Sequence, residues 1–342
     1  MKKIVYFDSY KTVFQNDSGG VQMRIKKMVE HNHSSDPFEI KLFNQWNDKL
    51  SNCDVLHIFK VNIDSYNLAL MAKKLGKRVV VSSVVPIDNG FKIRAALMLN
   101  KCFKVLNTYA IYRNILNLSD AIVAQTSLEK AFIVKNYRIA KKKVHVIPNG
   151  VDERLINHNG FRSENRDLVL CVGRFDSNKN QLSLIKALKD TNIPLCFVGG
   201  PDNNEKEYYE KCLEESKGAE NIKFLGWISH DDDRLIELYK QTKVAVLLSK
   251  KEIFGNSIIE GAASGANILY TNSLSMDEWG FDNIHAVSVD PKDIASIRRE
   301  VLKLYSLNTS DSLIKKAKEV FDWDVIMHKY YDLYLGGEDA NA

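Results

Sequence analysis

No two of the five cysteines form a C-x-x-C pair: Cys53, Cys102, Cys171, Cys196 and Cys212 are odd in number and scattered. Several sit in apolar, strand-like runs, so they read as buried thiols of a reducing compartment, not as disulfides or zinc ligands. Long apolar runs are missing too; none approaches the roughly 20 residues that a membrane span requires. The opening residues, MKKIVYFD, hold two lysines and an apolar stretch far short of a secretory leader. A cytoplasmic protein is therefore expected, with peripheral attachment to the inner face of the cell membrane left open. No arrangement of carboxylates and histidines stands out as suited to a divalent ion, so the expectation is no metal and no cofactor. Short-period repeats and low-complexity tracts are absent. The basic residues lack the interleaved aromatics of a nucleic-acid-reading sheet, which argues against nucleic acid as a partner.

What is present is ordinary in bulk and specific in detail. The 342 residues are 45% hydrophobic and 27% charged, with a formal charge of +5. That length suggests two domains, each with its own core. Short apolar β-rich runs alternate with helical periodicity through both halves, the signature of two doubly wound α/β domains. Boundaries are expected at residues 1–157, 158–320 and 321–336, the last an amphipathic helix rich in aromatics. The polar stretch 157–167 reads as a linker.

The stretch Val244 to Thr271, VAVLLSKKEIFGNSIIEGAASGANILYT, forms a strand-loop-helix-strand unit. Its loop and helix start carry Glu252 and Glu260, separated by seven residues. The helix would open near Gly255, Asn256 and Ser257, where backbone N–H groups without intrahelical partners suit a phosphate. Amides for a diphosphate and carboxylates for hydroxyls would fit a sugar nucleotide; two solvated acids on a βα loop fit the spacing equally well. A second corner, Gly173-Arg174-Phe175-Asp176-Ser177-Asn178-Lys179, follows the run Leu168 to Val172 and places two cations at the mouth of a helix. Further strand-end turns occur at Gly199-Gly200-Pro201 and Gly226-Trp227-Ile228-Ser229. Near the amino terminus Gly19 and Gly20 precede an amphipathic helix and would let a ligand approach the backbone. From Gly90 to Ser119 there is no acidic residue. On a helix at about 100° per residue, Arg94, Lys101 and Lys104 share one face and Leu99, Cys102 and Phe103 the other, with Leu97 inside the basic face. An anionic membrane surface and a plain surface helix are both open readings.

Taken in order, IPNGVD, VGRFDSNKN, FLGWIS and EIFGNSIIEGAASG resemble the motifs of the retaining GT-B glycosyltransferases of family four, of the bacterial polysaccharide and lipopolysaccharide type. The resemblance spans nearly the whole chain. It implies two Rossmann-like domains facing a cleft, with the final helix crossing back onto the first. It further implies that Arg174 and Lys179 meet the donor diphosphate, with Gly19, Gly20, Gly199, Phe254, Gly255, Asn256 and Ser257 beside it. Glu252 would hold sugar hydroxyls, Glu260 the ribose, and the backbone at Trp227 and Ile228 the base. Glu252, Arg174 and Lys179 are the expected catalytic set. Many relatives carry a histidine at the end of the strand Val79–Val85; serines stand here, and Ser83 is assigned its acceptor-side place. The implied activity is metal-independent transfer from a nucleotide sugar, UDP-sugar ahead of GDP-sugar, to a saccharide or lipid-linked saccharide. The rivals are a non-catalytic sugar-nucleotide-binding subunit and an epimerase or phosphorylase of the same fold.

Overall fold

The computed structural model describes residues 3–8, 20–59, 61–83, 89–103, 107–156, 166–274 and 276–336. The chain divides into two compact units, 1–150 with 323–342, and 151–322. In unit 1 the order begins β1 (Lys3–Asp8), α1 (Gly20–Glu30), β2 (Phe38–Leu42), β3 (Val55–Ile58), α2 (Ile63–Lys74) and β4 (Arg78–Ser82). It continues with α3 (Gly90–Phe103), α4 (Thr108–Leu118), β5 (Ala121–Ala124), α5 (Ser127–Tyr137) and β6 (Val144–Val146). All strand pairs are parallel, in the order β2-β1-β3-β4-β5-β6.

Parallel pairing explains the sequence pattern. A parallel strand covered by helices on both faces needs a continuous apolar run, not alternation. Residues 55–58 and 79–82 are buried at every position. Helix starts are fixed locally: Asn62 and Ser65 form a reciprocal capping box on α2, and Thr126 Oγ1 accepts from Glu129 N on α5.

Unit 2 runs α6 (Glu153–Ile156), β7 (Leu168–Val172), α7 (Gln181–Leu188), β8 (Leu195–Val198), α8 (Lys206–Glu215), β9 (Ile222–Phe224) and α9 (Asp233–Gln241). It continues with β10 (Thr242–Leu247), α10 (Asn256–Ala263), β11 (Asn267–Thr271), β12 (Ala286–Val289), α11 (Ile294–Ser306) and α12 (Asp311–Phe321). Its parallel order is β12-β11-β10-β7-β8-β9. The winding reverses between β7 and β10, the point in such sheets where ligands bind outside the carboxyl ends of the strands.

The division at Gly150 precedes the expected one at 157 because Val151, Leu155 and Ile156 are buried in the core of unit 2, and Val151 N donates to Phe321 O at 2.9 Å. Nor is all of 157–167 linker. Residues 157–165 lie outside the described set, but Arg166 is buried and donates to Thr242 O at 3.0 Å and Ser264 O at 2.6 Å. The last helix, α13 (Trp323–Leu335), belongs to unit 1. Trp323, Ile326, Met327, Tyr330, Tyr331, Leu333 and Tyr334 complete the core on the β1–β3 side of that sheet. Among the described residues no helix is long and apolar enough to cross a membrane.

Candidate functional site

Four loops leave neighbouring strands β10, β7, β8 and β9 on one edge of the unit 2 sheet. Asn178 joins two of them. Its carbonyl accepts from Lys250 N at 2.7 Å, its Oδ1 from Lys251 N at 3.0 Å, and its Nδ2 donates to Lys251 O at 3.1 Å. This fixes the β7 loop against the β10 loop at the reversal point. Lys179 Nζ then reaches Glu252 Oε2 at 2.6 Å, and Ser249 Oγ donates to the same oxygen at 2.9 Å. Both members of the pair are largely shielded, with side chains 26% and 17% exposed, so their charges are screened less than surface ones.

Arg174 turns the other way. Nη1 donates to Asp202 Oδ2, on the loop after β8, at 2.8 Å, and the side chain is 62% exposed. Lys179 and Arg174 thus each rest on a carboxylate from a different loop, and an incoming dianion would exchange with those carboxylates.

Helix α10 starts at Gly255, which has φ +77° and caps it with no side chain. A Cβ there would lie 2.9 Å from Leu274 Cδ1 and 3.1 Å from Leu247 Cδ2. The left-handed turn aims the first-turn amides, including Asn256 and Ser257, out of the helix end. Gly199 is more constrained: at φ +138° its Cβ would sit 2.1 Å from the Gly173 carbonyl oxygen. Its lack of a side chain is what lets β7 and β8 end so close together.

Glu260, one turn inside α10, accepts from Tyr239 Oη at 2.6 Å. His230 Nδ1 lies 3.9 Å from its other oxygen. Burial and the neighbouring Glu260 raise the Tyr239 phenol well above its usual value, so it stays a donor. Nothing in the sequence marks Asn178 or Tyr239 as site residues, and His230 reads there as a helix-capping or solvent residue. Asn178 lies inside a quoted motif, but nothing local signals a bridging role; the other two reach Glu260 only through tertiary packing.

Three expected contacts change character. Phe254 is buried and packs edge-on against Phe321, ring centroids 5.8 Å apart, so only its backbone remains for a ligand. Ile228 is likewise a core residue, whereas Trp227 is half exposed. Ser83 is buried, and its hydroxyl lies 3.0 Å from Val123 O and 2.7 Å from Glu129 Oε1, so it is engaged within unit 1. Gly20 opens α1 and is exposed, while Gly19 lies outside the described residues.

Beneath Ser83 is a buried polar layer that the sequence did not announce. His57, fully buried on β3, bridges Ser82 Oγ at 2.9 Å and Tyr334 Oη at 2.7 Å. Desolvation, then the Arg24 charge, holds its pKa well below the usual value, so it is neutral. Arg24 is buried, bonded to Tyr330 Oη, and pulled down to about 10 by burial. Burial pushes the Glu129 carboxyl up to about 7 against the opposing pull of its hydrogen bonds and Arg24. One hydroxyl proton on Ser83 cannot serve two acceptors. A protonated Glu129 donating to Ser83, which donates on to Val123 O, satisfies both contacts.

The stripe of α3 that packs inward is not the expected apolar one. Ile93 and Leu97 are buried, whereas Phe91, Met98, Leu99, Cys102 and Phe103 face outward with Lys92, Arg94 and Lys101. Arg94 donates to Asn136 Oδ1 at 2.7 Å, and Lys104 lies outside the described residues. As to metal, the described residues contain one group of three suited side chains, His31, His33 and Asp324, in unit 1 and not among these loops. Sequence spacing could not reveal it because Asp324 is remote from the histidines along the chain.

Two family models cover almost all of the chain: glycosyltransferase family 4 over residues 5–155 and glycosyl transferases group 1 over residues 153–320. Mannosylfructose-phosphate synthase of Agrobacterium fabrum is 26% identical over 261 residues, 68% of this chain and 56% of that protein. The chain spans about half the length of the curated relatives it matches. Among solved structures, a glycosyltransferase from Rickettsia africae superposes with TM-score 0.73 at 18% identity, covering 100% of both chains. Anabaena HepE in complex with UDP and glucose gives 0.72 at 14%, covering 98% of this chain and 100% of the other.

Proposed function

Because the chain belongs to the glycosyl transferases of group 1 and has the GT-B fold, we propose that it moves a sugar from a nucleoside-diphosphate sugar to a saccharide or lipid-linked saccharide. The observation that carries this is the Lys179–Glu252 pair at the reversal point of the unit 2 sheet, beside the amino end of α10. As the bond from the anomeric carbon to the diphosphate oxygen breaks, negative charge grows on the leaving group. Lys179, Arg174 and the α10 amides meet that charge. The diphosphate draws Lys179 off Glu252, and the released carboxylate accepts hydroxyls of the sugar. Glu260, held by Tyr239, takes the ribose hydroxyls, and the backbone at Trp227 and Ile228 lies under the base. Glu252 thus serves the sugar hydroxyls and not as a nucleophile, and the family resemblance favours front-face transfer with retention. The setting is assembly of cell-surface polysaccharide or lipopolysaccharide in the cytoplasm.

A UDP-sugar is the proposed donor; the shared fold with HepE, solved with UDP and glucose, supports that base. In a thermal-shift screen UDP-sugars should raise the unfolding midpoint by mass action, and GDP- and ADP-sugars should do so less. If none of the three moves it, the donor site is wrong. Turnover with the stabilising donor should persist in EDTA, because the groups placed to meet the diphosphate are amides and cations. Loss in EDTA with recovery in magnesium or manganese would overturn the metal-free mechanism.

The outward face of α3 fits an anionic membrane surface: exposed Phe91, Met98 and Phe103 offer apolar insertion, and Lys92 and Lys101 offer charge at about 1 kcal/mol per basic residue. A Lys101→Glu, Phe103→Ser double variant should sediment less with anionic phospholipid vesicles while binding donor as the parent does. Equal sedimentation would make α3 a plain surface helix.

A further inference from the structure

Where α1 ends and α13 begins, three side chains with metal-binding atoms converge. His31 Nδ1 is 3.5 Å and His33 Nε2 3.8 Å from Asp324 Oδ1, and the three ligand atoms all lie within 4.8 Å of one another. Both nitrogen–oxygen separations exceed those of an N–H···O hydrogen bond. The shorter is close to the edge of a tetrahedral shell, where ligand atoms about 2.0–2.1 Å from zinc stand roughly 3.4 Å from each other, and the exposed His33 and Asp324 side chains have room to rotate so that the wider spacings close.

The backbone carrying these ligands is held independently of them. Asn32, between the histidines, accepts from Ile40 N at 2.9 Å and donates to Phe38 O at 3.1 Å and Tyr331 Oη at 2.9 Å. Asp36 Oδ2 accepts from His33 N at 2.6 Å and from Tyr331 Oη at 2.7 Å. The loop is thereby locked to α13 at Tyr331, about two turns beyond Asp324. On the other side the His31 ring lies over Trp323, centroids 6.0 Å apart and planes 24° from parallel. Such outer support orients ligands before the ion arrives and is a usual accompaniment of real metal sites.

We infer that His31, His33 and Asp324 form a binding site for a first-row divalent cation, Zn²⁺ foremost, with solvent completing the shell. Two imidazoles and one carboxylate suit zinc better than magnesium or calcium, which prefer all-oxygen shells. The ion fastens the first turn of α13 to the end of α1. It takes no part in glycosyl transfer, and this inference does not rest on that reading.

The test uses the full chain stripped with EDTA, desalted, and titrated with Zn²⁺ alone by calorimetry, with Co²⁺ absorption reporting coordination. One equivalent should bind, and a hundredfold excess over the dissociation constant should raise the folded-to-unfolded ratio about a hundredfold, seen as a higher midpoint. His33→Ala and Asp324→Asn should each weaken binding at least tenfold and abolish the shift, and Asp324→His should restore both. Absence of saturable binding overturns the site. So does binding that survives in His33→Ala and Asp324→Asn, which would place the ion elsewhere, for instance on the exposed Cys102 thiol. Donor binding is measured separately in the same variants and should not change, so failure of one reading leaves the other standing.

Discussion

Lys179→Ala should lower turnover on the order of a hundredfold at saturating donor while weakening donor affinity much less. The lysine is the less exposed of the two cations, and it is held by the loop that Asn178 fastens to β10. A charge fixed there before reaction costs nothing to reorganise as the leaving group becomes anionic. Removing it also leaves Glu252 beside the diphosphate without a cation, held by the Ser249 hydroxyl and the Ile253 amide. Arg174→Ala should act in the same direction but less strongly, since a well-exposed guanidinium is screened by solvent. Glu260→Ala should raise the dissociation constant of the donor and change turnover little. Single-turnover rates and donor titrations separate the two quantities. A Lys179→Ala enzyme with near-parental turnover would remove the pair from the mechanism.

Glu129→Gln should make the protein more stable than its parent at pH 8 and leave it unchanged near pH 4.5. The Glu129 carboxyl rises from 4.5 to about 7 on folding, chiefly through burial. It therefore binds its proton more tightly in the folded chain. Its stabilising contribution is complete below about 4.5 and is lost as pH climbs through about 7. At about 1.4 kcal/mol per pH unit, the difference across that window is about 3 kcal/mol. The amide mimics the protonated acid: Oε1 can accept from Gln125 N, and Nε2 can donate to Ser83 Oγ, in place of bonds now made by the carboxyl. Denaturant unfolding from pH 4.5 to 8 is the measurement. Parallel pH profiles for parent and variant would show that Glu129 is ionised throughout, with Arg24 as its counter-ion.

Much of this architecture can be read from the chain because parallel strands announce themselves. The run Leu168 to Val172 and the run Ala286 to Val289 are strands over those same residues. Glu252, Arg174 and Lys179 stand on the expected loops and Glu260 inside the expected helix, because strand, turn and helix succeed one another within a few residues. What resisted reading was long-range. On α3 the spacing gave two stripes but could not say which one faces the core; Ile93 and Leu97 do, against an expectation built on Leu99 and Phe103. His57 would have been invisible under any local rule, since its partners Ser82 and Tyr334 arrive from another strand and from the far end of the chain. The strand-end serines look like a missing side chain until that histidine is seen directly beneath them.

The return of α13 to unit 1 sets an order in time. Unit 2 is continuous from Val151 to Asp322 and can close as soon as it leaves the ribosome. Unit 1 is synthesised first yet finished last. Until Tyr330 and Tyr334 are made, Arg24 and His57 lack the hydroxyls they bond to, and the sheet face under Met28, Phe38 and Phe59 has no lid. A nascent chain halted before Trp323 would thus carry a folded second unit behind an unfinished, sticky first one. Such a chain is a natural client for a holding chaperone, and release of the 13 residues of α13 is what would discharge it.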